Sequence, residues 1–292
     1  DPHAALAPDA PILHAGLDVE IADAGRFQFG TGVSLGQGSR VELEPGGALA
    51  IGDAVSISRS VHLAAATARQ LRIGSRTTIQ DGCRIYGNVR IGRDCILAPN
   101  NFLSSGTHAF DVEPHRLIHE QEQLAPAPDQ PIQVFDDCWL GINTVVTPGV
   151  TIGRGCVVGA NSVVTRDLPP YSVAVGNPAQ VVRRRLNFAP KARIEAGKPE
   201  DRPYFYHGFE PDAGEGLNAD PDFMLALRHP AASVVRLGLS GAGGRIEHAG
   251  QSRALPQQAD LVEFPLESQP AAAAVLTFHT THRCRLQWAE LA

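Results

Sequence analysis

The sequence predicts an all-β protein in two parts: a three-faced coil of stacked short strands, then a smaller β-sandwich-like unit. Two observations predict the coil. Aliphatic side chains recur every six residues through the first two thirds of the 292-residue chain, and the position four after each is small or β-branched. A third observation predicts the second unit: beyond residue 200 the period gives way to β-rich runs separated by turn residues.

Composition agrees with short strands joined by turns rather than a helical bundle, since there are 29 glycines, 22 prolines and only 6% aromatic residues. With 43% hydrophobic and 19% charged residues, the chain has enough apolar content to bury a core and is not a disordered segment. A net charge of −6 exerts no long-range pull on nucleic acid or anionic lipid, so neither is an expected partner. No run approaches the ~20 apolar residues of a membrane helix, and residues 1–10 lack a basic stretch followed by an apolar one. A cytoplasmic location is therefore expected.

The period is carried by Ile73, Ile79, Ile85, Ile91, Leu97 and Leu103, and again by Val134, Leu140, Val146, Ile152, Val158 and Val164. Weaker copies precede them at Phe29, Leu35 and Val41 and at Ile51, Ile57 and Leu63, interrupted by EPGGALA and AAATARQ. The restricted positions are Thr77, Cys83, Val89, Cys95, Asn101, Thr107, Cys138, Thr144, Val150, Cys156 and Ser162. A helix repeats at about 3.6 residues and a strand at 2, so neither explains this pattern. A coil with one hexapeptide per flat face does: the aliphatic residue points to the axis, the small residue fits beside it, and a frequent following glycine permits the turn. Coils starting near residues 29, 51, 73, 91, 134 and 152 are expected to stack, because one coil cannot bury its own face. Four of the five cysteines occupy the small position, which makes them core fillers rather than disulfide partners or zinc ligands.

The expected organisation is an N-terminal segment 1–20, the coil domain 21–186 with an inserted loop 104–133, a linker or short helix 187–200, and the sandwich-like domain 201–292. Within the last, candidate strands cover 204–210, 223–229, 233–239, 260–266, 273–279 and 283–291. Tyr204, Phe205, Tyr206, Phe209 and Trp288 are expected in its core rather than on a glycan platform. The GAGG run at 241–244 lacks the flanks of a nucleotide motif and reads as a turn.

A long loop inside a compact repeat is usually functional. The interruption carries His108, His115 and His119. His108 falls at the last position of the coil that starts at Ile91, so it is expected to be held by the scaffold and to serve as a general base, while the other two ride on the loop. Asp111 or a backbone carbonyl would orient it.

The run WLGINTVVTPGVTIGRGCVVGANSVVTRDLPPYSVAVGNPAQVVRRR at 139–185, with APNNFLSSGTHAFD at 98–111, resembles the hexapeptide-repeat acyltransferases. Within that family it is most similar to the branch that O-acetylates sugars and surface polysaccharides. The likeness covers residues 20–186, and the second unit departs from the simpler members. The resemblance implies a left-handed parallel β-helix, acetyl-CoA as donor with no metal, a saccharide acceptor, and a homotrimer with active sites between subunits. It implies His108 as the base and Asn100 as an acceptor contact. Trp139, Gly141 and the Gly159–Ala160 turn would lie along the donor, with backbone N–H groups meeting the developing oxyanion. Thr165, Arg166, Arg183 and Arg184 would reach the nucleotide end, and Pro178 in GNPA (176–179) would turn the chain back and shape the pantetheine path.

Other classes share parts of this pattern. An N-acyltransferase of nucleotide-linked amino sugars uses the same scaffold and donor with a nitrogen acceptor. A hydratase of the γ-carbonic anhydrase type needs three histidine ligands for zinc, and here all three sit on one loop. A trimeric glycan-binding module without catalysis would use the prism only for assembly.

Overall fold

Residues one coil apart pair in parallel, and this pairing sorts the strands of the first part into three sheets. The computed structural model describes residues 11–124, 129–211, 217–228, 232–241, 243–258, 260–266 and 274–292. The chain divides into two units between Asn187 and Phe188. In the first, one face runs from Ile12–Leu13 to Ser172–Val175, and Gln180–Arg184 folds back antiparallel on the latter. The second face runs from Asp18–Ile21 to Val163–Val164, and the third from Arg26–Phe29 to Thr151–Ile152. Among the described residues the second face has seven strands, one more than the six coils expected, because the first coil begins at Ile12. Its apolar residues Val19, Ile21 and Phe29 stay exposed at the open end of the stack; Phe29 keeps the inward register expected for it, opposite the buried Ile51, but no coil covers it.

The aliphatic positions of the strong repeat, from Ile73 to Val164, are buried. So are the small positions from Thr77 to Ser162, Thr107 excepted, which already lies beyond the coil. Buried polar groups there are satisfied by the backbone. Thr77 Oγ1 donates to the Gly92 carbonyl at 2.8 Å, and Asn101 receives the Thr144 N–H at 2.7 Å while donating to the Ala98 carbonyl at 2.9 Å.

The weaker early copies have a geometric cause. Ser34 pairs with Ser56 and Ser56 with Thr78, positions 22 residues apart, whereas later coils repeat at 18. The extra residues widen the second and third faces by one pleat each, so that Val41 and Leu43, then Leu49 and Ile51, all point inward. The six-residue step persists from Leu43 to Leu49 across the EPGG corner.

Glycine after the aliphatic residue serves close approach rather than the turn backbone expected for it. A Cβ on Gly74 would lie 2.6 Å from the Gly92 carbonyl carbon of the next coil. The left-handed corner residue is instead the third after the aliphatic, as at Asp94 (φ 56°), Asn100 (φ 59°), Asn143 (φ 58°) and Asn161 (φ 56°), where asparagine and aspartate tolerate that conformation better than most.

In the second unit the strand Leu217–Leu227 pairs along residues 217–219 with Cys284–Leu291 and along 222–227 with Ala274–Thr280. It therefore joins two half-sheets, one continuing through Val234–Gly241 to Asp260–Pro265, the other through Arg245–His248 to Gln251–Ala254. The halves face each other: Phe264 of one packs against His248 and Phe278 of the other, with centroids 5.7 and 6.0 Å apart. This is the sandwich-like packing expected. Tyr204, Phe205, Tyr206 and Phe209 are buried, and Trp288 is half-buried beneath the Arg193 guanidinium at 4.4 Å. Residues 187–200, expected as a linker, supply the strand Arg193–Glu195, which pairs with Cys284–Leu291, and the start of a 3₁₀ turn at Pro199–Tyr204. The strand expected at 204–210 begins only at His207. Two further strands, Arg245–His248 and Gln251–Ala254, went unsignalled because each is only four residues. Residues 229, 242 and 273, which fall in the expected elements, lie outside the described residues.

Burial pushes the Cys83 and Cys156 thiols up to about 11 and Cys284 to about 12, and raises Cys138 as well. At pH 8 these groups are thiols, not the reactive thiolates. Titration with DTNB is expected to modify none of the five cysteines in the native protein and all five in guanidinium. Rapid native labelling would contradict the inward register.

Candidate functional site

The chain leaves the prism at Ser105, directly after the second-face strand Phe102–Ser104, and re-enters at Ile132. A polar neck closes the excursion. Gln130 N–H donates to the Ser105 carbonyl at 3.0 Å, and Asp129 accepts from Ser105 Oγ at 2.7 Å and Asn88 Nδ2 at 3.2 Å while pairing with Arg69 at 2.5 Å. Between these feet lies a four-residue helix, Ile118–Gln121, whose buried Gln121 receives the Glu113 N–H at 3.1 Å and donates to the Arg116 carbonyl at 3.1 Å. Gln121 thus organises the loop from inside.

His108 lies beyond the neck with its side chain 80% exposed. It is not held by the prism, as the coil register suggested, because the coil ends three residues earlier. Its Nδ1 hydrogen-bonds Glu122 Oε1 at the C-terminal end of the loop helix. A carboxylate only accepts, so Nδ1 donates in this pair, which in the neutral imidazole leaves the Nε2 lone pair to accept a proton. The orienting group is Glu122, not Asp111 or a backbone carbonyl. An aperiodic loop offers no register from which the pairing of residues 14 apart could be read. His115 is also exposed, and His119 sits in the short helix, so neither joins His108.

Asn100 sits at the corner between the first and second faces of the same coil, in the left-handed conformation, with Asn143 and Asn161 in the equivalent corners below it. Asn143 Nδ2 donates to Asn161 Oδ1 at 2.9 Å. The corner itself therefore accounts for asparagine at position 100.

The remaining candidates lie on or beside the first face. Register places Ile96, Trp139, Val157, Val173 and Arg183 opposite one another in turn, so they form one outward row. Trp139 is 51% exposed and Ile96 46%. An apolar strip that ends in a guanidinium suits a ligand with an apolar stem and an anionic head. Gly141 and Ala160 stack in consecutive coils: a Cβ on Gly141 would lie 2.7 Å from the Ala160 nitrogen, which only glycine avoids. The Gly141 and Gly159 N–H groups donate to the Val158 and Ala174 carbonyls at 2.8 Å, so the ladder occupies two of the donors expected to meet an oxyanion. Among the described residues the Ala160 N–H remains available.

Thr165 and Arg166 follow the last second-face strand and are exposed. Pro178 follows a cis peptide bond with Asn177 in the hairpin that reverses the chain onto Ser172–Val175. Arg184 is tied to the Pro170 carbonyl at 3.1 Å and Ser172 Oγ at 2.9 Å, and Arg185 pairs with Asp137 at 3.0 Å. Arg183 forms no ion pair among the described residues.

The bacterial transferase hexapeptide family matches residues 71–105 and 131–166 as six repeats, broken where the loop leaves the prism. A Schizosaccharomyces pombe protein provisionally named an acetyltransferase is 40% identical over 99 residues, 34% of this chain and 44% of that one. Galactoside O-acetyltransferase of Escherichia coli K12 is 40% identical over 95 residues, 32% of this chain and 43% of that one. The chain thus spans under half the length of these two relatives. Among solved structures, a hexapeptide-repeat-containing acetyltransferase of Vibrio cholerae complexed with acetyl coenzyme A is 27% identical, with a TM-score of 0.36 and coverage of 52% of this chain and 71% of that one.

Losing a charged hydrogen-bond partner costs about 1.5–3 kcal/mol, which corresponds to roughly 10- to 150-fold more local opening. Asp129→Ala is therefore expected to speed trypsin cleavage after Arg116 by at least about tenfold, followed by gel and mass spectrometry. An unchanged rate would show that the neck does not hold the loop.

Proposed function

With residues 71–105 and 131–166 belonging to the bacterial transferase hexapeptide family, we propose that the protein transfers an acetyl group from acetyl-CoA to a hydroxyl of a bacterial saccharide, such as a surface polysaccharide or its precursor. The observation that carries the reading is the His108–Glu122 pair at the one break in the repeat, which leaves Nε2 as an acceptor open to solvent. The acceptor hydroxyl attacks the thioester carbonyl, and His108 Nε2 takes its proton. The tetrahedral oxyanion collapses, the C–S bond breaks, and the imidazolium returns the proton to the departing CoA sulfur. Glu122 fixes the tautomer and stabilises the transient imidazolium. No acyl-enzyme is needed, consistent with inward, protonated cysteines.

The donor would lie along the Ile96–Trp139–Val157–Val173 strip, its pantetheine on the apolar row and its phosphates toward Arg183, with Ala160 N–H offered to the oxyanion. Asn100 would contact the acceptor from the corner of the coil that precedes the loop carrying His108. The exposed Trp139, Ile142 and Phe102 are a reason to expect a second copy of the prism against this side, as in a homotrimer with sites between subunits. No helix among the described residues is long and apolar enough to cross a membrane. Five free thiols fit a reducing compartment, and we place the protein in the cytoplasm.

Calorimetric titration of acetyl-CoA into the protein is expected to saturate near one site per chain, and CoA release would then be screened over saccharide acceptors. His108→Ala should keep donor affinity within about twofold while lowering turnover by ~10²–10⁴-fold, and Glu122→Gln by roughly 10- to 100-fold. Absence of saturable donor binding, or turnover surviving His108→Ala, overturns the assignment.

A further inference from the structure

The third face of the prism carries arginines that the protein leaves unpaired. Several arginines elsewhere on the coils are met by carboxylate: Arg40 by Glu20 at 3.0 Å, Arg59 by Asp81 at 2.6 Å, Arg76 by Asp94 at 2.7 Å and Arg154 by Asp136 at 3.3 Å. Arg84 on the second face, like Arg183, forms no ion pair among the described residues, but its neighbours in the row are His62 and Phe102, not a second arginine. Arg26, Arg72 and Arg90 are exposed, and among the described residues none forms an ion pair. Register puts Arg72 directly opposite Arg90 on neighbouring strands, a like-charge pairing that works against the sheet. In the same row, Gln28 and Ala50 precede Arg72, and Gln133 follows Arg90. Arg26 begins the parallel row through Ala48 to Gln70. The two alanines make a low floor, and the groove over them, about 170 Å³, is bordered by Arg26, Arg72, Gln28 and Gln70.

From this we infer that the third face binds a carboxylate-bearing saccharide chain. Neighbouring strands stand about 4.8 Å apart, so Arg72 and Arg90, side by side on successive coils, can meet adjacent carboxylates of a repeating anion with forked hydrogen bonds. The glutamine amides donate and accept, which matches sugar hydroxyls. The rows offer no aromatic side chain on which a base would stack and no large apolar group that would enter a bilayer. A flat, alanine-floored channel with spaced cations and amides fits an extended acidic glycan. This binding is separate from acetyl transfer and is tested without acetyl-CoA.

The test is calorimetric titration of an oligogalacturonate into the full chain, beside its methyl-esterified form and a single-stranded oligodeoxynucleotide. The oligogalacturonate is expected to bind with an affinity that falls as salt rises, and the ester to bind at least about tenfold more weakly. In the Arg72→Gln/Arg90→Gln variant the acid form should lose at least tenfold, while Arg84→Gln on the second face should match the parent. Far-ultraviolet circular dichroism and the thermal midpoint confirm that each variant is folded, and both should hold or rise once the opposed charges are removed. Equal affinity for acid and ester, equal affinity of parent and double variant, no binding of the acid form, or tighter binding of the oligodeoxynucleotide would each overturn the inference. Acetyl-CoA titration of the double variant reads the transfer site independently and is expected to be unchanged.

Discussion

Every feature of the first unit depends on the backbone ladder between coils. Each strand's N–H and C=O groups are satisfied one coil away, so the register is set by stacking, and an inward position in one coil lies over an inward position in the next. That constraint explains why the aliphatic positions are uniformly buried, why a small residue must follow four later, and why the cysteines are silent fillers. It also explains why glycine recurs at positions such as Gly74 and Gly141, where the next coil's backbone passes too close for a Cβ. The 22-residue coils obey the same rule with wider faces.

A ladder this regular leaves few ways to place chemistry. One is to decorate outward positions, which repeat in straight rows: the apolar row through Trp139 ends at Arg183, and the row through Arg72 and Arg90 is cationic. The other is to leave the ladder, and the chain does so once among the coils, between Ser105 and Gln130. There the prism supplies a fixed neck and nothing more. His108 owes its orientation to Glu122 on the same excursion, so the loop carries both members of the pair.

Much of this was legible in the sequence, because a six-residue period is a direct imprint of the ladder. The three faces, the inward set, the buried cysteines and the existence of a projecting loop all follow from spacing. The second unit's strands were legible as β-rich runs, but its shortest strands and the pairing of Arg193–Glu195 with the last strand were not, since four residues or fewer carry too little pattern. The first coil is hard to read for a related reason: with one side of the stack open, its inward positions are left exposed and carry too few copies of the period. His108 is legible by its place in the register, but its support is not, because register ends where the coil ends. Glu122 and Asp129 left no signal at all, since contacts within an aperiodic loop are set by three-dimensional closure. Asn100 shows the opposite hazard, a residue type explained equally well by a left-handed corner and by an acceptor contact.

The most direct test of this account is a crystal structure of the protein with coenzyme A bound. Pantetheine is expected along the Trp139 row, phosphates toward Arg183, and the thiol sulfur beside His108 Nε2, with Glu122 still on Nδ1. Coenzyme A bound elsewhere, with its sulfur remote from His108, would contradict it.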